Sequence, residues 1–194
     1  MKNEGLISAF GAGLNANMNG EDPEMKTKWN QWYVNKLLSM EKVTGEKGID
    51  FFLAANLYSL LNYNLLDSGI LDNCYKAGVK VIIGGPYSSG ILATGADPAN
   101  KSPGNYIYLP ASKEILDRTR KIEVICRKHS VPLMAASLQF PLGHPAVESV
   151  IPGGKSPEET QINSLMMTIN IPSNFWTELK DEGLLPKDAH TPSE

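Results

Sequence analysis

The segment VKVIIGGP at residues 79–86 decides the fold. Its first five residues are mostly β-branched and apolar, which is typical of a buried strand, and two glycines and a proline end that strand at once. The preceding stretch, DSGILDNCYKA at residues 67–77, predicts a helix with Asp67 or Ser68 as the N-cap and Gly78 as the stop residue. A helix therefore leads into a buried strand that opens into a glycine-rich loop.

The same alternation of strand and helix repeats along the chain. Strands are predicted at residues 6–9, 50–55, 79–83 and 147–151, and helices at residues 25–43, 67–77, 112–129, from 156 onward, and at 173–182. Residues 133–140 form a short apolar helix or strand, and their Met, Ala, Leu and Gln favour the helix. A long loop is predicted at residues 95–110. Short strands that are apolar on both faces are typical of parallel strands covered by helices, so the fold class is α/β. The order fits four β/α units of a (β/α)8 barrel and also an open doubly wound sheet, and periodicity does not separate the two.

Composition narrows the function classes. The 194 residues suffice for one domain with a sizeable core, and a net charge of -3 predicts no nucleic-acid or membrane partner. Without a signal-peptide pattern or a long apolar run, we expect a cytoplasmic location. Cys74 and Cys126 lie on apolar helical stripes, where a free cysteine acts as a small apolar residue. The sequence contains no Cys/His cluster, so no zinc site is expected. The spacing of Trp29, Trp32 and Tyr33 predicts a helix face packed in the core, in preference to a substrate pocket.

Three of the predicted strand ends are rich in glycine: residues 11–15 (GAGLN), 84–90 (GGPYSSG) and 152–156 (PGGKS). The carboxyl ends of parallel strands form the ligand-binding face of α/β proteins. The third loop leads into a helix that starts S-P-E-E, so that its backbone N–H groups, the helix dipole and Lys155 favour an anion such as phosphate. A capped glycine turn without a ligand is an equal alternative. Tyr87 fits both stacking on a bound ring and packing in the core.

Several longer runs carry a family resemblance. They are GGPYSSGILATG at 84–95, YIY at 106–108, VPLMAASLQFPLGHPAVESVIPGGKSPEET at 131–160 and FWTELKDEGLL at 175–185. Together they resemble the aldo-keto reductase superfamily, and within it the bacterial branch of aldose, fucose and pyridoxal dehydrogenases. The resemblance extends from Glu4 to Leu185. It implies a (β/α)8 TIM barrel, of which residues 1–185 form a C-terminal part with the fifth to eighth strands, followed by a polar tail at 186–194.

The resemblance also implies a nicotinamide cofactor at the carboxyl ends of the strands and hydride transfer to or from a small sugar-like or pyridoxal-like carbonyl or alcohol. Its cofactor positions fall on Asn15 and Gly84 for the nicotinamide, on Gly85, Pro86, Tyr87, Ser88 and Gly90 for the pyrophosphate, on Gly153, Gly154, Lys155 and Glu159 for the adenosine ribose, and on Asn163 for the adenine. Gly84 stands where many members place a stacking aromatic residue. Glu159 stands where NADP-binding members often place Arg. A carboxylate repels a 2′-phosphate, and Lys155 offsets this only in part, so NAD is favoured over NADP as the cofactor.

In the superfamily the catalytic Asp, Tyr, Lys and His come from the first four strands, which have no counterpart here, so no catalytic residue is assigned. His144 is interpreted as structural. We expect the chain to be the cofactor-binding half of an enzyme, to be inactive alone, and to pair with an N-terminal half or with itself. A non-catalytic nucleotide-binding module and an inactive gene fragment are the alternatives.

Overall fold

A computed structural model describes residues 4–16, 22–40, 48–96 and 104–192. Its strands are β1 (Gly11–Asn15), β2 (Phe51–Ala55), β3 (Lys80–Gly84), β4 (Asn105–Tyr106), β5 (Leu109–Pro110) and β6 (Val147–Ile151). Its helices are α1 (Pro23–Leu38), α2 (Asn64–Asp67), α3 (Ile70–Lys76), α4 (Ile91–Thr94), α5 (Lys113–Lys128), α6 (Leu133–Gln139), α7 (Pro157–Met166) and α8 (Ser173–Asp181). A 3₁₀ turn, Phe140–Gly143, follows α6.

Four strands form one parallel sheet in the order β1-β2-β3-β6. The register pairs Asn15 with Ala55, Ala55 with Gly84, and Gly84 with Ile151, so the four carboxyl ends meet at the same edge. One face, which includes Phe52, is fully buried in the core that the helices complete. The opposite face is open, since Leu53 is 37% exposed. Helices that cover a single face fit a partial (β/α) barrel better than a doubly wound sheet, which has helices on both faces.

The clearest local signals gave the correct elements. The predicted strands at 79–83 and 147–151 are β3 and β6, and the predicted helices at 112–129 and 133–140 are α5 and α6. Ser112 caps α5, since its side chain accepts a hydrogen bond from the Ile115 N–H at 3.3 Å. Ser156 caps α7 in the same way through the N–H of Glu159, also at 3.3 Å.

The prediction for the first strand was wrong. The strand is Gly11–Asn15, which had been predicted to be a loop, and residues 6–9 form no strand. Leu6 is 69% exposed, so its apolar side chain marks no core position. Glycine is depleted in strands, but the Phe51 ring of the neighbouring strand lies where a Cβ of Gly11 would be. A cross-strand aromatic residue thus replaces the missing side chain.

Two helix predictions also need correction. Residues 67–77 contain the end of α2 and all of α3, and the break falls at Gly69, whose φ of 69° is left-handed, so neither Asp67 nor Ser68 caps a helix with its side chain. Gly78 is the stop residue, as predicted.

In α1 the buried residues are Asn30 and Val34, whereas Trp29 and Trp32 are 47% and 60% exposed. The predicted core face of the tryptophans is therefore wrong. Residues 41–43 of that predicted helix lie outside the described residues, as do residues 97–103 of the predicted loop. The described part of the loop contains the short hairpin β4–β5.

The C-terminal segment packs against the domain. Ala189 is 2% exposed, and the His190 ring meets His144 at a centroid distance of 4.8 Å. His144 itself is 1% exposed. Its Nδ1 accepts a hydrogen bond from the Ala146 N–H at 3.2 Å, in agreement with a structural role. The segment after residue 185 is thus polar in composition but is fixed to the core at one apolar residue.

Candidate functional site

A cavity of about 640 Å³ opens where the carboxyl ends of β2, β3 and β6 meet the start of α7. We call it the loop cavity. Its volume is in the range of small-molecule and cofactor sites. The predicted site residues that line it are Gly85, Tyr87, Gly90, Gly153, Gly154, Lys155, Glu159 and Asn163. The lining is completed by Asn56, Ser89, Ala93, Thr94, Tyr108, Met134 and Ile162.

Four predicted site residues do not line the loop cavity: Asn15, Gly84, Pro86 and Ser88. Asn15 ends β1, which is the edge strand at the opposite end of the sheet from β6. Gly84 ends β3, and an added Cβ would lie 3.6 Å from Ala55, an ordinary van der Waals contact, so the packing there tolerates a Cβ. Pro86 is a buried residue of the loop itself. Ser88 is 2% exposed, and its hydroxyl is hydrogen-bonded to that of Ser59 at 2.9 Å, so it supports the loop from inside.

A hydrogen-bonded chain ties the two glycine-rich loops together. The Tyr87 hydroxyl donates to Oδ1 of Asn163 at 2.7 Å, and Nδ2 of Asn163 donates to the Gly153 carbonyl at 3.2 Å. The Tyr87 phenol is protonated at neutral pH, as any tyrosine is, and burial raises its pKa further, to about 12. A side-chain amide has two N–H groups, so one hydrogen on Asn163 remains for a ligand. Tyr87 is therefore a buried tie between loops, with its hydroxyl already paired.

A carboxylate occupies the start of α7. Oε2 of Glu159 accepts a hydrogen bond from the backbone N–H of Lys155 at 2.7 Å. The second acid of this turn, Glu158, has its pKa lowered chiefly by a hydrogen bond with the Ser156 side chain. The N–H groups of a helix start favour anions, and here the chain's own carboxylates take part of that capacity. The turn is consequently less suited to a dianionic phosphate than its glycines suggested.

The glycine-rich loop after β3 is wound in left-handed backbone. Gly85, Ser88, Ser89 and Gly90 have φ values of 66°, 50°, 66° and 112°. The Ser88 N–H donates to the Gly85 carbonyl at 2.9 Å, which closes the turn. Glycine is required at position 85 because a Cβ there would lie 2.5 Å from Oδ1 of Asn56 in addition to the positive φ.

The sequence reasoning missed Asn56, which follows β2 directly. It is 5% exposed, has a φ of 57°, and its Oδ1 is buried without a hydrogen-bond partner. A signal for it was present, because a polar residue directly after the buried strand FFLAA marks a strand end as glycine does elsewhere. Its amide places a polar group beside Gly85 in the wall of the loop cavity.

In the described parts of the chain, no helix is long and apolar enough to cross a membrane, and no three His, Cys, Asp or Glu side chains are grouped as metal ligands. Cys74 and Cys126 are both buried, and burial raises the pKa of each thiol to about 12. Both thiols thus behave as core residues, as predicted.

Comparisons with known proteins agree with this architecture. The family model described as the aldo/keto reductase family matches residues 34–182. A pyridoxal 4-dehydrogenase from Microbacterium luteolum is 37% identical over 152 residues, which are 78% of this chain and 43% of that protein. A D-threo-aldose 1-dehydrogenase from a Pseudomonas species is 32% identical over 148 residues, which are 76% of this chain and 44% of that protein. The chain thus spans less than half the length of these curated relatives.

A solved structure supports the fold. A thermostable aldo-keto reductase in complex with the inhibitor epalrestat aligns with a TM-score of 0.54 and 16% identity, over 93% of this chain and 50% of that one. The likeness agrees with four β/α units of a (β/α)8 barrel and disfavours the doubly wound alternative. With the family model matching most of its length and with strand ends that gather the glycine-rich loops at one cavity, the chain belongs to the aldo/keto reductase family.

Proposed function

We propose that this chain is the cofactor-holding half of an NAD-dependent oxidoreductase that transfers a hydride between the nicotinamide and a small sugar-like or pyridoxal-like alcohol or carbonyl. The observation that carries the proposal is the loop cavity, in which eight of the predicted cofactor residues converge at the carboxyl edge of a parallel sheet. Such an edge is the usual ligand face of α/β barrels. The names of the two curated relatives, both dehydrogenases, support the reaction class.

Different residues of the loop cavity suit different parts of an adenosine diphosphate group. The remaining N–H of Asn163 suits an adenine acceptor. The Glu159 carboxylate accepts hydrogen bonds, so it suits the 2′-hydroxyl of NAD and repels the 2′-phosphate of NADP. Lys155, which follows Gly154 in the same turn, carries a positive charge that favours the 2′-phosphate of NADP and so opposes the effect of Glu159. The pyrophosphate would then lie against the left-handed loop at Gly85.

Hydride transfer is the chemistry that NAD itself supplies. The chain's own part in this proposal is binding and orientation, since no described residue matches the proton-transferring residues of the family. We therefore expect the chain to bind NAD without turnover of aldoses or pyridoxal. Robust turnover by the purified chain, on the order of 1 s⁻¹ or more, would contradict this division of labour.

Calorimetric titration of the full chain with NAD and with NADP tests the cofactor preference. Two unit charges about 4 Å apart in water interact by about 1 kcal/mol, roughly fivefold in affinity. We expect NAD to bind more tightly, Glu159→Gln to narrow the ratio, and Glu159→Arg to turn it toward NADP. Glu158→Gln is the matched control, because it removes a carboxylate from the same turn but not from the loop cavity.

The preference is wrong if wild-type chain binds NADP ten times more tightly than NAD. If neither dinucleotide binds at millimolar concentration, the proposed cofactor-holding function itself is wrong. Equal effects of Glu158→Gln and Glu159→Gln would show that only the net charge of the turn matters, which would contradict the role given to Glu159.

A further inference from the structure

The parallel sheet ends on both sides in a strand with an open edge. In the order β1-β2-β3-β6, β1 pairs only with β2 and β6 only with β3, and no other described strand lies against their outer edges. An open edge presents backbone N–H and C=O groups that can pair with another chain. Each outer edge is therefore one side of a strand pair that the described residues do not complete.

The helices beside these two edges are poorly covered. Only two of the sixteen residues of α1 and one of the ten residues of α7 are buried. By contrast, α6 packs between α5 and α7 and buries four of its seven residues. A helix on a sheet normally buries an apolar stripe against the sheet and its neighbours. Both α1 and α7 thus have an outer side without a packed neighbour among the described residues.

The outer side of α1 carries a stripe of large apolar side chains. Met25, Trp29 and Trp32 are 68%, 47% and 60% exposed, and their i, i+4 and i+7 spacing places them on one face of the helix. Exposed apolar patches of this kind mark interaction surfaces. Tryptophan is also among the residues that contribute most to binding at protein interfaces. We call the edge of β1 together with this stripe the α1 flank.

The opposite end of the sheet offers a surface of complementary shape. A groove of about 480 Å³ lies between β6 and α7, and Leu138 and Val150 form part of its apolar lining. Beside it on α7, Leu165 is 57% exposed. We call the edge of β6, this groove and α7 the α7 flank. The exposed indoles of one flank thus have an apolar recess of suitable character on the other.

The charges of the two flanks are complementary as well. α1 has a net charge of +2, from three lysines and one glutamate, and α7 has a net charge of -2, from Glu158 and Glu159. Helices that cover a continuous parallel sheet all run in the same direction, so the start of an α7 would lie beside the start of a neighbouring α1. Exposed ion pairs add little to affinity. These charges therefore favour the orientation of the contact, and the indoles supply most of its stability.

We propose that a second copy of this chain covers both flanks, so that two chains form one eight-stranded barrel around a two-fold axis. β1 of each copy pairs with β6 of the other, and α1 of each packs against α7 of the other. Because one chain carries both flanks, a single symmetric contact covers both at once. Four strands from each copy give the eight of a closed barrel. The open face of the sheet, with Leu53 and Ile151, becomes the packed interior.

Size-exclusion chromatography with light scattering on the full chain measures this assembly. We expect a dimer of about 42 kDa, twice the 21.2 kDa of one chain, at micromolar concentration. Trp32→Glu places a charge on the α1 flank, and Leu165→Arg places one on the α7 flank. Each should raise the dissociation constant of the dimer at least about tenfold, as loss of an interface hot spot does. Val124→Glu is the matched control, because Val124 is 56% exposed but lies on α5, away from both flanks.

Mixing the two variants tests the arrangement itself. In a mixed pair, one contact joins a wild-type α7 to a wild-type α1, and the other sets the introduced acid against the introduced base. The mixture should therefore dimerise at a concentration where neither variant does so alone. A dimer held by α1 against α1 would not respond to Leu165→Arg, and that result would overturn the proposed arrangement.

Circular dichroism and calorimetric titration with NAD on every variant separate assembly from folding and from cofactor binding, since neither Trp32 nor Leu165 lines the loop cavity. A monomer at every concentration, or assemblies that grow beyond two chains, overturn the proposal. A dimer that survives both substitutions, or that Val124→Glu also dissociates, overturns it too. If Trp32→Glu does not fold, Leu165→Arg decides the outcome alone. NAD binding by a monomer overturns the assembly and leaves the proposed function standing.

Discussion

The Tyr87 hydroxyl joins the two glycine-rich loops of the loop cavity, and its removal tests whether that tie is structural. Tyr87 and Asn163 are each 8% exposed, and their hydrogen bond is 2.7 Å long. In a Tyr87→Phe variant, Oδ1 of Asn163 would stay buried and lose its donor. A buried acceptor left unpaired costs about 1–3 kcal/mol. We therefore expect the free energy of unfolding to fall by about 2 kcal/mol, since the ring itself still fills its site.

Urea unfolding followed by far-UV circular dichroism measures this change, with an unchanged denaturant slope if the unfolded state is unaffected. Tyr75→Phe is the matched control, because Tyr75 is 57% exposed. Loss of a hydroxyl from such a surface position is expected to change stability by no more than about 0.5 kcal/mol. A Tyr87→Phe variant as stable as wild type, or a loss equal to that of Tyr75→Phe, would refute the reasoning.

Burial of the same hydroxyl group predicts a pH dependence. Burial raises the pKa of Tyr87 to about 12, whereas tyrosine in an unfolded chain has a pKa of about 10. The folded state thus holds the proton more tightly, and the stability that this provides is fully present below about pH 10 and is lost between about pH 10 and 12. The difference between wild type and Tyr87→Phe should be constant up to pH 10 and should change only above it. A difference that changes between pH 6 and 9 would assign the effect to another group.

Two further predictions concern backbone strain and buried thiols. Gly85→Ala should destabilise the chain by about 1–3 kcal/mol, because it combines a positive φ with a Cβ 2.5 Å from Asn56. Gly153→Ala is the control and should be nearly neutral in the same urea assay, because there is open space at its Cβ position. Equal losses of stability in the two variants would contradict this prediction. Burial raises the thiol pKa values of Cys74 and Cys126 to about 12. Neither thiol should therefore react with a chromogenic disulfide reagent at pH 8 until urea unfolds the chain. Rapid labelling of the native chain would contradict the buried packing of the two thiols.

Much of the fold could be predicted because its strongest signals are local. β3 is a run of β-branched residues ended by glycine, and α7 starts with a serine cap and a proline. Signals of this kind act over a few residues and need no knowledge of the rest of the chain. β1 could not be predicted from local signals, because the Phe51 ring that covers Gly11 lies forty residues later in the sequence.

The residues that line the loop cavity could be predicted where glycine marked them. Gly85, Gly90, Gly153 and Gly154 all line the loop cavity. Glycine appears where backbone must turn or come close to another group, so it identifies loops directly. What it does not show is which side chains fill the space left open. Asn56 is the clearest case, since its side chain lies where the Cβ of residue 85 would be.

The helix α1 was misread because a polar residue lies on its buried face. Its amphipathic pattern predicted that Trp29 and Trp32 face the core, yet the buried residues are Asn30 and Val34. The buried Val34 and the partly buried Tyr33, Leu37 and Leu38 give this face its apolar contacts, while the buried amide needs hydrogen bonding as well. The bond from Asn30 to the Asn15 carbonyl at the end of β1 supplies part of it, and leaves one amide oxygen facing no donor. The rotation of α1 thus depends on a contact with β1, fifteen residues away in the sequence, which the pattern within the helix does not contain.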